Sequence, residues 1–391
     1  MINRTLNLQK ILQSRHTVFL LGPRGVGKTF LCNQFLESCT NFYRIDLLHH
    51  DIYLRYLKQP ALFRNEIETM LTNKSELTVL IDEVQKLPSI LDEVHSLIEK
   101  YKKQIQFILT GSSARKLKRG GANLLAGRAW ILKLHPLTHL ELKLDLSKAL
   151  TIGTLPAVYL EDSDPQRTLK AYLELYLKEE IMQEALTRKI EGFSRFLDMA
   201  GQMNGEPLNF SKLARESNVS TKTAQEYFSI LVDTMLAFRI DAWTYSIRKQ
   251  ITAAPKFYFF DCGVLNAVRG ELDYELNKNS YRYGKLFETF LAQEIIRIND
   301  YRETGYRFYY WRTNTGLEVD LILSKGPREA PIAIEIKSSV APLEQDLHGL
   351  KSFQTENTTA RLICLSNTPQ AYKLGQIDVL PWQEGIKAIF S

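Results

Sequence analysis

Eight residues near the start of the 391-residue chain have the types and spacing to hold a row of phosphates. They read GPRGVGKT, from Gly22 to Thr29, a full match to G-x-x-x-x-G-K-[ST]. Gly22, Gly25 and Gly27 let the backbone turn tightly enough for its N–H groups to face anionic oxygens, and Lys28 is long enough to reach the β- and γ-phosphates. Thr29 brings a hydroxyl of the kind that ligates Mg²⁺. Further along, the apolar run of LTVLIDEVQKLP ends in Asp82 and Glu83. The first acid can hold Mg²⁺ through water; the second can orient and deprotonate a water for attack on a γ-phosphate. The chemistry implied is binding and hydrolysis of ATP with Mg²⁺.

These residues need a scaffold, and the flanking pattern supplies one. TVFLL, residues 17–21, reads as a short buried strand feeding the loop, and a helix from Lys28 continues through FLCNQFLESC with apolar residues at helical spacing. LTVLID reads as a buried parallel strand whose carboxyl end opens on a site. QIQFILTGSSARKL is a further strand ending in small hydroxyl residues, so Thr110 and Ser112 are either sensors of the γ-phosphate or ordinary turn residues. The following stretch to Arg128 carries Arg115, Lys116, Lys118 and Arg119 and expects an anionic partner. Arg128 in LAGR is a candidate arginine for the γ-phosphate, acting in its own or a neighbouring subunit, with a plain surface role as the other reading.

LLGPRGVGKT, VLIDEVQKLP, ILTGSSA, LLAGRAWILKLHPLTHLEL and GTLPAVYL, in this order and spacing, resemble a bacterial and archaeal family of AAA-type predicted ATPases. The resemblance covers nearly the full chain. It implies an α/β P-loop AAA domain over residues 1–140, followed by a long C-terminal region of largely unassigned role. AAA modules place the nucleotide between subunits, so the resemblance also implies a homo-oligomeric ring, a hexamer.

Beyond His135 and Pro136 the pattern turns helical. QRTLKAYLELYLKEEIMQEAL and FSRFLDMAGQM, within 141–204, fit either a helical lid on the nucleotide domain or plain core helices. Residues 205–255 have helix-turn-helix spacing followed by a possible hairpin, and resemble a winged helix. If that module touches DNA, Thr221, Lys222, Thr223 and Gln225 open the recognition helix and Arg248 and Lys249 stand at the wing tip. A structural or protein-contact role is the other reading.

Over 256–391 a second constellation follows: Glu288 on a helix, a hairpin around Gly316, Asp320 in its second strand, and Glu335 with Lys337 in the next. Side chains two apart in a strand share a face, which puts Glu335 and Lys337 together. The pattern resembles the PD-(D/E)xK nuclease superfamily, although Val319 stands where the motif has proline. That resemblance implies a restriction-endonuclease-like α/β domain in which Asp320 and Glu335 bind a metal, Glu288 completes its shell and Lys337 stabilises charge or positions a water. Alternating Glu and Lys also fits an exposed ion pair, and an inactive DNA-binding relic fits equally. Trp311 packs, and Arg312 packs or meets a nucleic-acid backbone.

Composition sets the bounds. With 45% hydrophobic and 24% charged residues the chain reads as folded throughout, in several domains of roughly 150 residues each. A net charge of +6 permits a nucleic-acid partner without requiring one. No apolar run reaches the ~20 residues of a membrane span, and the start of the chain lacks a signal-peptide core, so a cytoplasmic protein without a membrane partner is expected. The four cysteines form no C-x-x-C pair and read as reduced thiols. The function expected is an AAA-type ATPase acting on DNA, branched or damaged, in recombination, repair or defence. Its competitor is an ATP-driven regulatory switch that recruits protein partners and cuts nothing.

Overall fold

The computed structural model describes residues 2–112, 125, 127–160, 164–177, 190–244 and 253–391. The basic residues Arg115, Lys116, Lys118 and Arg119 and the wing-tip pair Arg248 and Lys249 lie outside the described residues. The chain divides into two compact units, one of residues 1–137 with 229–236, the other of 138–228 with 237–391.

In the first unit β1 (Thr17–Leu21), β2 (Phe42–Asp46), β3 (Leu77–Asp82), β4 (Ile105–Gly111) and β5 (Ala129–Lys133) form one sheet in the order β2-β3-β4-β1-β5. Every pairing is parallel. β1, β3 and β4 are buried along their whole length, which is why they read as unbroken apolar runs: such a sheet is covered on both faces. The helices are α1 (Leu8–Leu12), α2 (Lys28–Leu36), α3 (His50–Lys58), α4 (Pro60–Thr72) and α5 (Ile90–Tyr101). Pro60 opens α4, where a missing N–H costs nothing, and α5 has Asp92 and Glu93 in its first turn and Lys100 in its last, in step with the helix dipole. Phe19, Ile45, Phe63, Val79, Ile81, Val94 and Phe107 belong to one core cluster. Because β4 lies between β1 and β3, the carboxyl ends of all three strands stand side by side, with Leu21 opposite Gly111 and Asp46 opposite Asp82.

The second unit is built on an eight-stranded mixed sheet. Its strands are β6 (Ala237–Ala242), β7 (Lys256–Phe259), β8 (Arg307–Arg312), β9 (Glu318–Ser324), β10 (Ile332–Lys337), β11 (Arg361–Ser366), β12 (Tyr372–Leu374) and β13 (Ile377–Pro381). They run in the order β12-β13-β11-β10-β9-β8-β6-β7. Gly316, at φ 93°, makes the turn between β8 and β9. Its helices are α6 (Leu146–Ile152), α7 (Pro156–Tyr159), α8 (Pro165–Ala171), α9 (Ile190–Gln202), α10 (Phe210–Glu216), α11 (Thr221–Asp233), α12 (Cys262–Val268), α13 (Tyr281–Arg302), α14 (His348–Glu356) and α15 (Trp382–Ile389). The last residues of α11 group with the first unit.

The middle of the chain packs within the second unit, where α6, α8 and α9 lie against α12, which is buried at every position. Polar bonds fix that packing: Asn266 donates to the carbonyls of Leu150 and Thr151, and Asp261 accepts from the N–H groups of Thr154, Gly263 and Val264. The strands that would form a wing, β6 and β7, do pair antiparallel, but β6 also pairs with β8, so the hairpin extends the C-terminal sheet. An unpaired edge would leave backbone groups open, and this junction closes one.

Candidate functional site

The phosphate loop follows β1. A Cβ on Gly22 would stand 2.2 Å from the carbonyl oxygen of Leu134, so only glycine fits there. Gly25 and Gly27 have φ of 81° and 91°, left-handed values that glycine adopts without strain. Gly27 caps α2, whose first N–H groups and positive dipole end therefore face the loop. Lys28 is buried, and its ammonium group donates to the carbonyls of Gly22 at 2.7 Å and Pro23 at 3.0 Å, which curls the side chain over the loop it belongs to.

Asp82 ends β3 and is 2% exposed, yet it is well served by donors. The Thr29 hydroxyl donates to its Oδ2 at 3.0 Å, and the Thr110 hydroxyl, from the end of β4, donates to its Oδ1. Thr110 also accepts from the N–H of Glu83 at 3.1 Å, so one hydroxyl ties both acids to the neighbouring strand. Glu83 sits at φ 57°, an uncommon conformation for a residue with a side chain and one that tends to occur where geometry serves a site. The structure thus brings together Lys28, Thr29, Asp82, Glu83 and Thr110, and it adds Ser112, whose hydroxyl accepts from Gln85 at 3.2 Å while Gln85 also donates to Glu83. Set beside Thr29, the Asp82 carboxylate gives a hydroxyl and a carboxylate oxygen at one point, a hard-oxygen pair that suits Mg²⁺ carrying water and phosphate oxygens.

Three contributors carry no motif and were not foreseen. Arg4 donates to the carbonyl of Val26 within the loop at 2.7 Å and to that of His135 at 2.6 Å, bracing the loop from the N-terminal segment. Arg44 on β2 stands 3.5 Å from Asp46 and 3.9 Å from Asp82. Gln85 is the third. Cys32 is buried on α2, where burial and the nearby Asp82 push its thiol up to about 12, an inert group. Arg128 forms an exposed ion pair with Glu99 of α5.

α10 and α11 follow one another across a short turn. Asn209 caps α10 by accepting from Lys212, and Ser220 accepts from the N–H of Thr223 at 3.1 Å. Thr221, Lys222 and Gln225 are exposed and Thr223 is half-buried at the start of α11, while Tyr227 and Phe228 pack edge-on against Phe196.

The carboxylates of the C-terminal constellation come together away from bulk water. Asp320, Glu335 and Glu288 are 9%, 6% and 8% exposed. Register brings the first two together: Ile334 of β10 pairs with Leu321 of β9, one residue from each acid. Asp320 accepts from the N–H of Ile336 at 2.8 Å, and Lys337 holds Glu335 at 2.8 Å. The other oxygen of Glu335, Oε2, is buried without a hydrogen-bond partner. Burial, then Glu335 and Glu288, raise Asp320 well above the ordinary carboxylate range. Burial pushes Glu335 up to about 7, against the pull of Lys337. Among the described residues no three His, Cys, Asp or Glu side chains form a ready-made metal cage. Two buried carboxylates, one with an orphaned oxygen, are groups that could hold a small divalent cation.

Comparisons with known proteins agree with the geometry of the first unit. Residues 14–143 match a family described as an AAA domain. Residues 143–275 and 283–384 each match a domain of unknown function, DUF8612 and DUF4143. The chain is 25% identical over 343 residues to an uncharacterized protein of Mycobacterium tuberculosis, spanning 86% of this chain and 73% of that one. It is 21% identical over 378 residues to an uncharacterized protein of Haemophilus influenzae, spanning 89% and 90%. A solved structure of a Walker-type ATPase from Pyrococcus abyssi shares 16% identity at a TM-score of 0.44, over 68% of this chain and 94% of that one. The matched residues and the loop geometry define the class: the chain carries an AAA-type P-loop ATPase. Two domains of unknown function follow it. Among the described residues no helix is long and apolar enough to cross a membrane.

Proposed function

We propose that the chain couples hydrolysis of ATP in its first unit to work on DNA, with the second unit supplying the DNA contact and a phosphodiester-directed acidic site. The observation that carries the ATPase half is the Thr29–Asp82–Thr110 bridge, from the first turn of α2 to the ends of β3 and β4, beside the curled Lys28. On this reading the loop N–H groups and Lys28 bind the β- and γ-phosphates, with Lys28 exchanging loop carbonyls for phosphate oxygens. Thr29 and Asp82 would hold Mg²⁺, which would supply charge neutralisation at the phosphate oxygens. Glu83 takes the proton of the attacking water, giving ADP and phosphate, and Thr110 keeps Asp82 and Glu83 in register.

The DNA half is supported by the buried Asp320–Glu335 pair with Lys337 beside it, on a mixed sheet packed against α13 and α14. Asp320 and Glu335 would hold a divalent cation, Glu288 would complete its shell, and Lys337 would stabilise charge or position the attacking water. The exposed Thr221, Lys222 and Gln225, with the half-buried Thr223, are the DNA-facing start of α11. Subunits assemble as a ring, a hexamer, in which Arg128 leaves Glu99 for the neighbour's γ-phosphate.

The test is an ATPase assay with single-stranded, duplex and four-way DNA, run beside a cleavage assay on the same substrates with Mg²⁺ or Mn²⁺. Stimulation by one DNA form, and cleavage abolished by D320A, are expected. An ATPase rate indifferent to all DNA, with no retention on DNA at low salt, would falsify the DNA half and favour an ATP-driven switch that recruits proteins.

A further inference from the structure

The acidic site has a wall that its motif does not include. Lys256 lies on β7, and its side chain is wholly buried, where an unpaired ammonium group would cost several kcal/mol. It pairs with Glu318 and stands 5.1 Å over the ring of Tyr310. Glu318 is two residues before Asp320 on β9, so the two side chains share a face. Two residues along β7 from Lys256, on its face again, the buried hydroxyl of Tyr258 donates to Glu288 at 2.8 Å. The other oxygen of Glu288 is 3.3 Å from Lys285, which also reaches Glu206 at 2.9 Å. Lys256 and Tyr258 fall in the 143–275 match and the carboxylates in the 283–384 match, so the site draws on both.

We propose that Lys256 and Tyr258 are members of this site, Lys256 as a fixed counter-cation and Tyr258 as the positioning residue of Glu288, and that the site consequently takes one divalent cation rather than two. The inference rests on the phosphodiester-directed reading of the second unit. Charge balance supports it. Glu288, Glu318, Asp320 and Glu335 face Lys256, Lys285 and Lys337, four negative groups against three positive, while Glu206 and Arg312 at the rim offset each other. Once a cation has displaced the protons of Asp320 and Glu335, the four carboxylates, three lysines and one divalent cation sum to plus one, the match of a phosphodiester; a second cation would leave an excess of three. Tyr258 and Lys285 occupy the oxygens of Glu288, and Lys256 with Arg312 those of Glu318, which leaves the open ligand position at Glu335 Oε2, beside Asp320.

The experiment is calorimetric titration of the nucleotide-free full chain with Mn²⁺, in a D82N background that silences the first unit, with Mn²⁺ electron paramagnetic resonance as a second readout. One equivalent should bind, and D320N should abolish it. Y258F should keep one equivalent but weaken it about tenfold, the lower end of the cost of disturbing the groups around a metal's direct ligands. K256M should take up a second equivalent, and K256R, which keeps the charge, should bind one. If K256M does not fold, Y258F and K256R decide the matter. No Mn²⁺ binding, or binding that D320N leaves intact, overturns the phosphodiester-directed reading and this inference with it. Binding lost in D320N but of two equivalents in the unsubstituted site, or unaltered by Y258F and K256M, overturns this inference alone.

Discussion

On the proposed reading, Lys28 and Glu83 separate the two tasks of the ATPase site. Lys28 is curled onto the carbonyls of Gly22 and Pro23, which a phosphate would replace with a stronger, charge-assisted partner. K28A should therefore weaken binding of a fluorescent ATP analogue by about thirtyfold or more, the equivalent of about 2 kcal/mol for a lost phosphate contact. Glu83 touches Gln85 and, through its N–H, Thr110, and makes no bond to the loop. E83Q should keep the analogue's affinity while the hydrolysis rate falls about 10² to 10⁴-fold, as expected for a lost general base. A parallel fall in affinity would place Glu83 in binding instead. The motif residues were legible because a phosphate loop and a strand end are local features of the chain. Arg4, Arg44 and Gln85 were not, since a lone polar residue has no spacing to betray it and acquires its role only from what folds beside it.

Among the elements, α12 and α14 show how tightly the second unit is fitted. Asp261 caps α12 and is surrounded by three N–H donors, with Arg297 held wholly buried nearby. Burial raises Asp261 above its ordinary value of 3.8 in spite of Arg297, so the folded state holds this proton more tightly than the unfolded chain. Its stabilising contribution is then complete below pH 3.8 and is lost as pH rises through the folded-state pKa. Urea titrations should show that slope, and D261N, which cannot ionise, should flatten it. Gly349 lets α14 lie against β9, because a Cβ there would be 1.9 Å from the carbonyl oxygen of Glu318. G349A should cost about 1 to 3 kcal/mol in urea unfolding, the usual penalty for overpacking, and should disturb Asp320 two residues on. An unchanged midpoint would show that α14 can shift freely. The apolar periodicity of these helices was plain in the sequence, but periodicity states which face is buried and not what buries it. That is why the helices of 141–204 fitted either a lid or a core, and only the fold places Asn266 and Asp261 against Leu150, Thr151 and Thr154.

For the molecule as a whole, the open question is how many copies act together. Light scattering of E83Q with ATP and Mg²⁺ should give a mass several times that of the 45.1 kDa chain, and a monomer under those conditions would remove the ring. With a net charge of +6, DNA-stimulated ATPase activity should fall steeply as salt rises, since each phosphate contact releases counterions.

What the sequence determined by itself is the nucleotide chemistry: a contiguous glycine-rich loop, an acid pair at a strand end and a hydroxyl at the next are encoded within short segments, and their backbone leaves little choice of geometry. The tertiary structure alone decided the company those residues keep. Glu288, Asp320 and Glu335 could be named from spacing, but that Lys256 and Tyr258 stand against them depends on β6 joining β8. Strand pairing between distant segments is set by which surfaces bury best together, and no short stretch of sequence contains that information.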